Sequence, residues 1–263
     1  MKTNGNLPYL IAGVKGLQLA ISAGYVREII KVPQWYAVPQ LPNYVRGVIN
    51  LRGKVIPLMD LRLRMNQTSA LEEIDETVKM LSAREQDHIH WLDELELSIK
   101  DKRPFTLARD PAKCAFGKWY YSFKTNDIGF ASVMSRFEAP HSRIHAIADT
   151  AINYAEQGEF DKAKEIIEVT RTGDLSSVIK LFAEAREAFV QSHMEIAVVL
   201  THEEKHMSIA VDTVVSVELL NENTIEDTAT VMGNDHPELL VKVARRIKDK
   251  SVVFLLDVEK LFD

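Results

Sequence analysis

The spacing of apolar residues along the chain changes twice. Between residues 9 and 65, and again after Ser192, short runs rich in β-branched residues, such as YLIAGV, VREIIKV and HMSIAVDTVVSVELL, are separated by Gly, Pro and polar residues. This pattern is typical of short β-strands joined by turns. Between residues 68 and 192 the apolar residues recur mostly three or four positions apart, which is the period of amphipathic helices. The sequence therefore predicts two β-rich pieces separated by a helical segment.

Four helices are predicted in this segment. The first presents one face that is apolar except at Glu85 and His88, and it comprises Ile74, Val78, Leu81, Glu85, His88, Leu92, Leu95 and Ile99. A second, shorter helix follows Pro111, because proline fits the first turn of a helix. The third carries Met134, Phe137, His141, Ile144 and Ala148 on one face. The fourth runs over residues 160–191 with an interruption near Gly173, and its inward residues are Ala163, Ile166, Val169, Val178, Phe182, Ala185 and Phe189.

The order of the segments predicts how the chain is organised. Because an even number of antiparallel helices returns the chain to the end where it entered, residues 68–192 fit an up-and-down four-helix bundle inserted into a surface loop. Neither β piece is long enough to form a good core alone, so residues 1–67 and 193–263 are predicted to form one discontinuous domain. The fold class is multi-domain β plus α.

Composition and charge argue against several classes of function. The 263 residues are 46% hydrophobic, which is sufficient for two cores. A net charge of -6 argues against a nucleic-acid or anionic-membrane surface. A single cysteine excludes an internal disulfide, the N-terminal residues lack an export pattern, and no apolar run approaches the roughly 20 residues of a membrane span. We expect a cytoplasmic protein that neither enters a membrane nor binds nucleic acid.

Metal-ligand residues occupy the helical segment. His88 lies on the buried face of the first helix, and His141 and His145, four residues apart, can direct their rings at a common point. Three imidazoles and the thiolate of Cys114 make a closed tetrahedral set that suits Zn²⁺. Two simpler interpretations stay open at this point, because histidine pairs on helices are often structural and a lone cysteine is often a small buried apolar residue.

The runs DHIHW, CAFGKWY and HSRIH together resemble the chemoreceptor zinc-binding (CZB) domain, a helical bundle that binds zinc through three histidines and one cysteine. The resemblance covers roughly residues 75–190. It implies that the zinc ligands are His88, Cys114, His141 and His145. Residues expected beside the ligands are Trp91, Gly117, which would allow a close approach, and Trp119, which would exclude water with Tyr120. His90 is expected to face solvent or to lie beside the ligands.

A second metal-like motif lies in the later β piece. Residues 202–206 read HEEKH, which matches the HExxH pattern of zinc proteases. That chemistry needs both histidines on a helix, yet the flanking runs IAVVL and MSIAVDTVVSV are strand-like. We therefore predict a hairpin in which His202 and His206 are exposed loop residues, and no catalytic site.

The β pieces resemble the CheW-like domain of bacterial chemotaxis coupling proteins, through YLIAGV, VREII, LPNYVRGVINLRGKVIPLMDLR, IAVVL, SIAVDTVVSV and VVFLLDVEKLF. The resemblance implies a pair of small five-stranded, SH3-like β-barrels. It also implies a non-catalytic adaptor that bridges chemoreceptors (methyl-accepting chemotaxis proteins) to a CheA-type histidine kinase, in cytoplasmic receptor arrays. Arg52 of the NLRG run and Glu28 are the implied partner contacts. Alternatively, Arg52 only pairs with an acidic side chain at a strand end.

The leading hypothesis is a signalling scaffold in which zinc occupancy or oxidation of Cys114 adjusts the coupling of receptor to kinase. Two alternatives stay open. A zinc hydrolase would need three protein ligands, a bound water and a general base, and no motif supplies that base. A structural module would use its zinc only for stability and its bundle to form a homodimer.

Overall fold

The structure, a computed structural model, describes residues 6–232 and 238–263, so the start of the predicted first β piece, residues 1–5, lies outside the described residues. The chain forms two compact units. One comprises Met1–Glu73 and His193–Asp263 and is called the β unit below. The other comprises Ile74–Ser192 and is called the helical unit. None of the described helices combines the length and the apolar character that a membrane span requires.

The β unit contains two six-stranded sheets. Its strands are β1 Asn6–Val14, β2 Leu17–Ser22, β3 Val26–Lys31, β4 Trp35–Tyr36, β5 Val45–Leu51, β6 Lys54–Asp60, β7 Ile196–His202, β8 Lys205–Val211, β9 Thr213–Asn221, β10 Glu226–Asp227, β11 Leu240–Arg245 and β12 Val252–Leu256. The sheet orders are β10-β11-β12-β2-β1-β9 and β3-β7-β8-β6-β5-β4. Each sheet thus has five longer strands, as predicted, and one two-residue strand that extends it.

Strands from before and after the helical insertion pair directly. β1 pairs antiparallel with β9, and β6 pairs parallel with β8. Apolar side chains of both sheets then share one core, which includes Leu10, Leu19, Met59, Val198 and Ile209. Neither piece supplies this core alone, which is the physical reason that two sequence segments form one unit.

The helices are α1 Leu61–Arg64, α2 Ala70–Lys100, α3 Ala115–Tyr120, α4 Ile128–Ser135, α5 Glu138–Glu156, α6 Phe160–Thr170, α7 Ser176–Ser192 and α8 Thr228–Met232. α2 begins at a serine cap, because the Ser69 hydroxyl accepts a hydrogen bond from the Glu72 backbone N–H at 3.0 Å. The predicted apolar face of α2 packs inward around Leu81, Leu92 and Leu95. Glu85, the charged exception, forms a 2.5 Å ion pair with Arg186 of α7.

Two helix predictions differ from the structure. The third predicted helix is two helices, α4 and α5, separated at Arg136 and Phe137. The fourth is not interrupted at Gly173, because a π-helical segment, Arg171–Leu175, joins α6 to α7. The prediction that Val169 faces inward is wrong, since its side chain is 63% exposed.

The buried face of α6 and α7 does not include Val169. The buried residues of this long helix are Ala163, Ile167, Thr170, Leu175, Val178, Leu181, Phe182, Ala185 and Phe189. Their spacing is helical except between Thr170 and Leu175, which lie five positions apart. Val169 follows Ala163 by six residues, which corresponds to about 600° of helical rotation and therefore lies about 120° away from Ala163. The predicted three-residue steps from Ala163 to Ile166 and Val169 thus leave the buried face of α6, which continues instead through Ile167 and Thr170.

Candidate metal centre

His88 projects from the middle of α2 into the core of the helical unit, and only 3% of it is exposed. Its Nδ1 lies 2.6 Å from the carbonyl oxygen of Arg84, one turn earlier. A carbonyl oxygen can only accept, so Nδ1 carries the proton and Nε2 keeps its lone pair. Nε2 is buried and has no hydrogen-bond partner among the described residues. Such a nitrogen is available to a metal ion.

His145 of α5 has the same arrangement. Its Nδ1 donates to the carbonyl oxygen of Ala108 at 3.0 Å, and its buried Nε2 is unpartnered among the described residues. The indole N–H of Trp91 donates to the same carbonyl at 2.8 Å, and the rings of Trp91 and His145 lie 4.8 Å apart. Trp91 therefore contacts the imidazole and shares the acceptor that orients it.

His141 and Cys114 face each other. The Nε2 atom of His141, one turn before His145 on α5, lies 3.4 Å from the Sγ atom of Cys114. The Nδ1 atom of His141 is buried without a partner among the described residues. Cys114 caps α3, and its Sγ accepts a hydrogen bond from the backbone N–H of Gly117 at 3.1 Å.

Gly117 is required by a backbone contact. A Cβ atom at this position would lie 1.8 Å from the carbonyl oxygen of Pro111. Glycine thus lets the turn before Cys114 fold back onto α3, which directs Sγ toward the histidines. The close approach expected at Gly117 is present, and the approaching group is the preceding turn.

The structure brings all four predicted ligands together: one potential ligand atom from each of His88, Cys114, His141 and His145 lies within 4.8 Å of the others. Burial, followed by repulsion from the neighbouring imidazoles, lowers the pKa of His141 to about 3. Burial and the charge of His88 lower the pKa of His145 to about 4. The histidines are therefore neutral near pH 7, as metal ligands must be. Burial raises the pKa of the Cys114 thiol.

These observations fit a divalent cation. A buried polar atom without a partner costs about 1–3 kcal/mol, and three imidazole nitrogens bear this cost here. A cation held by three neutral imidazoles and a thiolate would satisfy the Nε2 atoms of His88 and His145. Sulfur and imidazole ligands favour zinc over calcium or magnesium.

Aromatic rings line the four side chains, and two of these rings were not among those expected from the sequence. Phe116 lies 5.6 Å from the His88 ring and 5.1 Å from the His141 ring. Phe182 lies 5.7 Å from the His88 ring. Trp119 is half-buried one layer further out and packs against Phe116 and Phe123. Phe116 sits within the CAFGKWY run and Phe182 on the apolar face of α7, so both could have been identified from the sequence.

The remaining predicted positions lie in the β unit. Arg52 sits at the tip of the β5–β6 hairpin with its side chain 79% exposed and pairs with Glu28 at 2.5 Å. Residues 202–206 form the β7–β8 hairpin, so the HExxH pattern is not on a helix. His202 and His206 belong to the strands and are half-buried, which corrects the prediction that they are exposed loop residues.

Comparison with known proteins identifies the β unit. The family model described as the CheW-like domain matches residues 8–89 and 162–263, which are well over half of the chain. The chain belongs to the CheW-like family. The predicted resemblance and the predicted fold class, a CheW-like domain interrupted by a helical insertion, are both confirmed. Proteins of this family are non-catalytic scaffolds, in agreement with the prediction that the chain is not an enzyme.

Individual CheW relatives match only in part. A chemotaxis protein CheW of Helicobacter pylori is 36% identical over 88 residues, which are 33% of this chain and 52% of that protein. A chemotaxis protein CheW of Bacillus subtilis is 39% identical over 79 residues, 30% of this chain and 50% of that protein. The chain thus spans about half the length of these curated relatives. A crystal structure of scaffolding protein TtCheW from Thermoanaerobacter tengcongensis aligns with a TM-score of 0.46 and 12% identity over 98% of this chain and 93% of that one.

The helical insertion matches a second family model, the chemoreceptor zinc-binding domain, over residues 88–152. The match begins at His88 and includes Cys114, His141 and His145. This chain therefore combines a CheW-like domain with a domain of a zinc-binding family.

Two buried arginine side chains hold acidic residues near both chain crossings of the β unit, and the sequence did not reveal these ion pairs. Arg46 donates to Asp60, at the end of β6, at 2.7 Å, and to Glu195, just before β7, at 2.5 Å. Arg62 of α1 pairs with Glu73 in the first turn of α2 at 2.6 Å and with Asp212 at 2.8 Å.

Proposed function

We propose that this chain is a cytoplasmic, non-catalytic scaffold that couples chemoreceptors to a CheA-type histidine kinase in receptor arrays. The proposal is supported by the membership in the CheW-like family and by relatives that are named chemotaxis proteins. In this proposal residues 1–67 and 193–263 form the coupling domain, and residues 68–192 form a regulatory zinc-binding domain.

The proposed zinc ligands are His88, Cys114, His141 and His145. The observation that carries this assignment is the convergence of these four side chains with buried, unpartnered imidazole nitrogens. When bound, zinc would hold Cys114 as a thiolate and connect α2, α3 and α5. The carbonyl groups of Arg84 and Ala108 keep the Nε2 atoms of His88 and His145 free of protons.

The proposed regulation follows from chain connectivity. α2, which carries His88, starts shortly after β6, and Glu73 in its first turn is held by Arg62. α7 packs beside the four ligands through Phe182 and leads to Glu195, which is held by Arg46. A change of helix packing after metal loss or oxidation of Cys114 would therefore act on residues that are attached to strand ends.

Arg52 and Glu28 are proposed as contacts to the receptor or the kinase. Both lie at the rim of a surface cavity in the β unit. Their mutual ion pair is exposed on the arginine side, so its loss would cost little stability and leave binding as the main effect.

Metal analysis of the full chain tests the zinc proposal. We expect one zinc per chain in the wild type and at least about tenfold weaker binding in Cys114→Ser, because a closed site loses one of four ligands. Ser98→Ala, a buried position outside the ligand set, is the control. Full retention of zinc at wild-type affinity by Cys114→Ser would contradict a four-ligand site and would favour the open coordination of a hydrolase.

A binding assay tests the coupling role. Affinity for a CheA-type kinase and for a chemoreceptor is measured with zinc, with a chelator and after mild oxidation. If zinc or the redox state of Cys114 regulates coupling, the affinity for the kinase or the receptor will differ between these three states. An unchanged affinity would assign the zinc a structural role, and the mass of the chain in solution would then test whether the bundle dimerises.

A further inference from the structure

The four proposed ligands are not equally accessible. His88, His141 and His145 are 3%, 0% and 2% exposed, whereas Cys114 is half-buried. An ion that enters from solvent therefore reaches Cys114 before it reaches the imidazoles. The residues around Cys114 therefore determine the route by which a metal ion reaches the four ligands.

A cavity of about 240 Å³ opens beside Cys114. Its wall includes three of the four proposed ligands, His88, Cys114 and His145. This volume corresponds to roughly eight water molecules at about 30 Å³ each, so a hydrated ion fits inside. The cavity thus offers a path from solvent to the ligand atoms.

The same cavity is lined by two exposed side chains with metal-binding groups, Asp87 and His90. They lie three positions apart on α2 and hence on neighbouring parts of one helix face. The Asp87 side chain is 52% exposed and contacts Arg84 at 3.2 Å. Lys113 also lines the cavity, but its ammonium group lies 3.6 Å from the Asp110 carboxylate, which offsets part of its charge.

We infer that Asp87 and His90 form an outer cation-binding position, which captures a divalent transition-metal ion at the cavity and passes it to the four inner ligands. The inference rests on the proposed zinc function and assigns His90 a role that the four-ligand set leaves open. Carboxylate and imidazole both bind Zn²⁺ and Co²⁺. Asp87 and His90 line the same cavity as His88, so an ion held by them lies in the space that leads to the first inner ligand.

Capture followed by transfer has a kinetic signature. If the ion first equilibrates with Asp87 and His90 and then moves inward, the observed loading rate rises with metal concentration and reaches a plateau. Direct loading gives a rate that rises linearly. Because the outer residues are not ligands of the final site, their loss slows loading and release together and leaves the equilibrium affinity nearly unchanged.

Stopped-flow mixing of the metal-free full chain with Co²⁺, followed by the thiolate-to-cobalt absorption, tests the inference. In the wild type we expect the loading rate to reach a plateau as the Co²⁺ concentration rises. In Asp87→Asn/His90→Gln we expect a linear dependence and about tenfold slower loading at low Co²⁺, with an affinity for Co²⁺ within about threefold of the wild type. Asp75→Asn, an exposed carboxylate earlier on α2, is the matched control, and His202→Gln, a half-buried histidine of the β unit, controls for the loss of an imidazole elsewhere.

The outcomes separate the two proposals. A linear dependence in the wild type, or a loss of affinity as large as the loss of loading rate, would overturn the outer position and leave the four-ligand site intact. Failure of the wild type to take up Co²⁺ at all would overturn the proposed zinc function and, with it, this inference.

Discussion

Arg46 provides the sharpest test of the forces that hold the β unit. Its side chain is 5% exposed and donates to Asp60, whose side chain is 0% exposed, and to Glu195, whose side chain is 5% exposed. Replacing Arg46 with methionine leaves two buried carboxylates without a cation. Removing one partner of a buried ion pair costs about 3–5 kcal/mol, and we expect a loss of unfolding free energy in that range.

Protonation of Glu195 limits how much unfolding free energy the Arg46→Met variant can lose. Burial raises the pKa of Glu195, and the contacts with Arg46 oppose this rise. Without Arg46 the carboxyl group can take up a proton instead of staying charged in the interior, which limits the cost. Adding acid to the Arg46→Met variant should therefore recover part of the lost stability.

Arg52→Met is the matched control. The Arg52–Glu28 pair has the same 2.5 Å separation as the Arg46–Glu195 pair, but Arg52 is 79% exposed, so its loss should cost only about 0–1 kcal/mol. Urea unfolding of the full chain, with hydrogen exchange of β5 and β7 to report on the β unit, measures both variants. Equal losses below about 1 kcal/mol would refute the argument that burial decides the energy of these pairs.

Two further predictions concern other parts of the molecule. Gly117→Ala should cost about 1–3 kcal/mol and weaken metal binding, because its Cβ would meet Pro111, whereas Gly173→Ala, which meets no described atom within 4 Å, should change stability by less than about 1 kcal/mol. Unfolding and metal titrations check both, and equal behaviour of the two variants would contradict the steric argument. Glu218→Gln should reduce the loss of unfolding free energy at acid pH. The hydrogen bond from Arg246 lowers the pKa of Glu218 below its ordinary 4.5. The ionised Glu218 therefore stabilises the fold fully above that pH, and this stabilisation is lost as the pH falls through the lowered pKa. Urea unfolding between about pH 2 and 6 measures this slope, and an unchanged slope in the variant would exclude Glu218 as its source.

The sequence predicted those features that depend on local periodicity. The apolar pattern of α2 extends over many turns, so the prediction that His88 lies in the core was correct although His88 and Glu85 are polar. Alternating runs predicted the strands and the β7–β8 hairpin. The separation of α4 from α5 was missed, because the apolar face continues through the two residues at which the helix ends.

Features that depend on distant pairing were not predictable. Glu85 and Arg186 lie 101 positions apart, and Arg46 and Glu195 lie 149 apart, so no local pattern links them. The Ala108 carbonyl that orients His145 and Trp91 leaves no mark in the sequence, because every residue type carries a carbonyl group. Long-range ion pairs and backbone acceptors become visible only in the folded chain.

The π-helical segment between α6 and α7 holds one residue more than continuous α-helical packing would use. Two of its side chains are paired with other helices. Arg171 pairs with Asp93 and Glu96 of α2, and Asp174 accepts three hydrogen bonds from Arg143 of α5, which lies between His141 and His145. Deleting one residue here would restore a plain α-helix and keep Val178 and the residues after it in phase. Homologous bundles should therefore be able to lack one residue at this point and keep their core. A one-residue deletion elsewhere in α6 or α7 would rotate apolar side chains toward solvent.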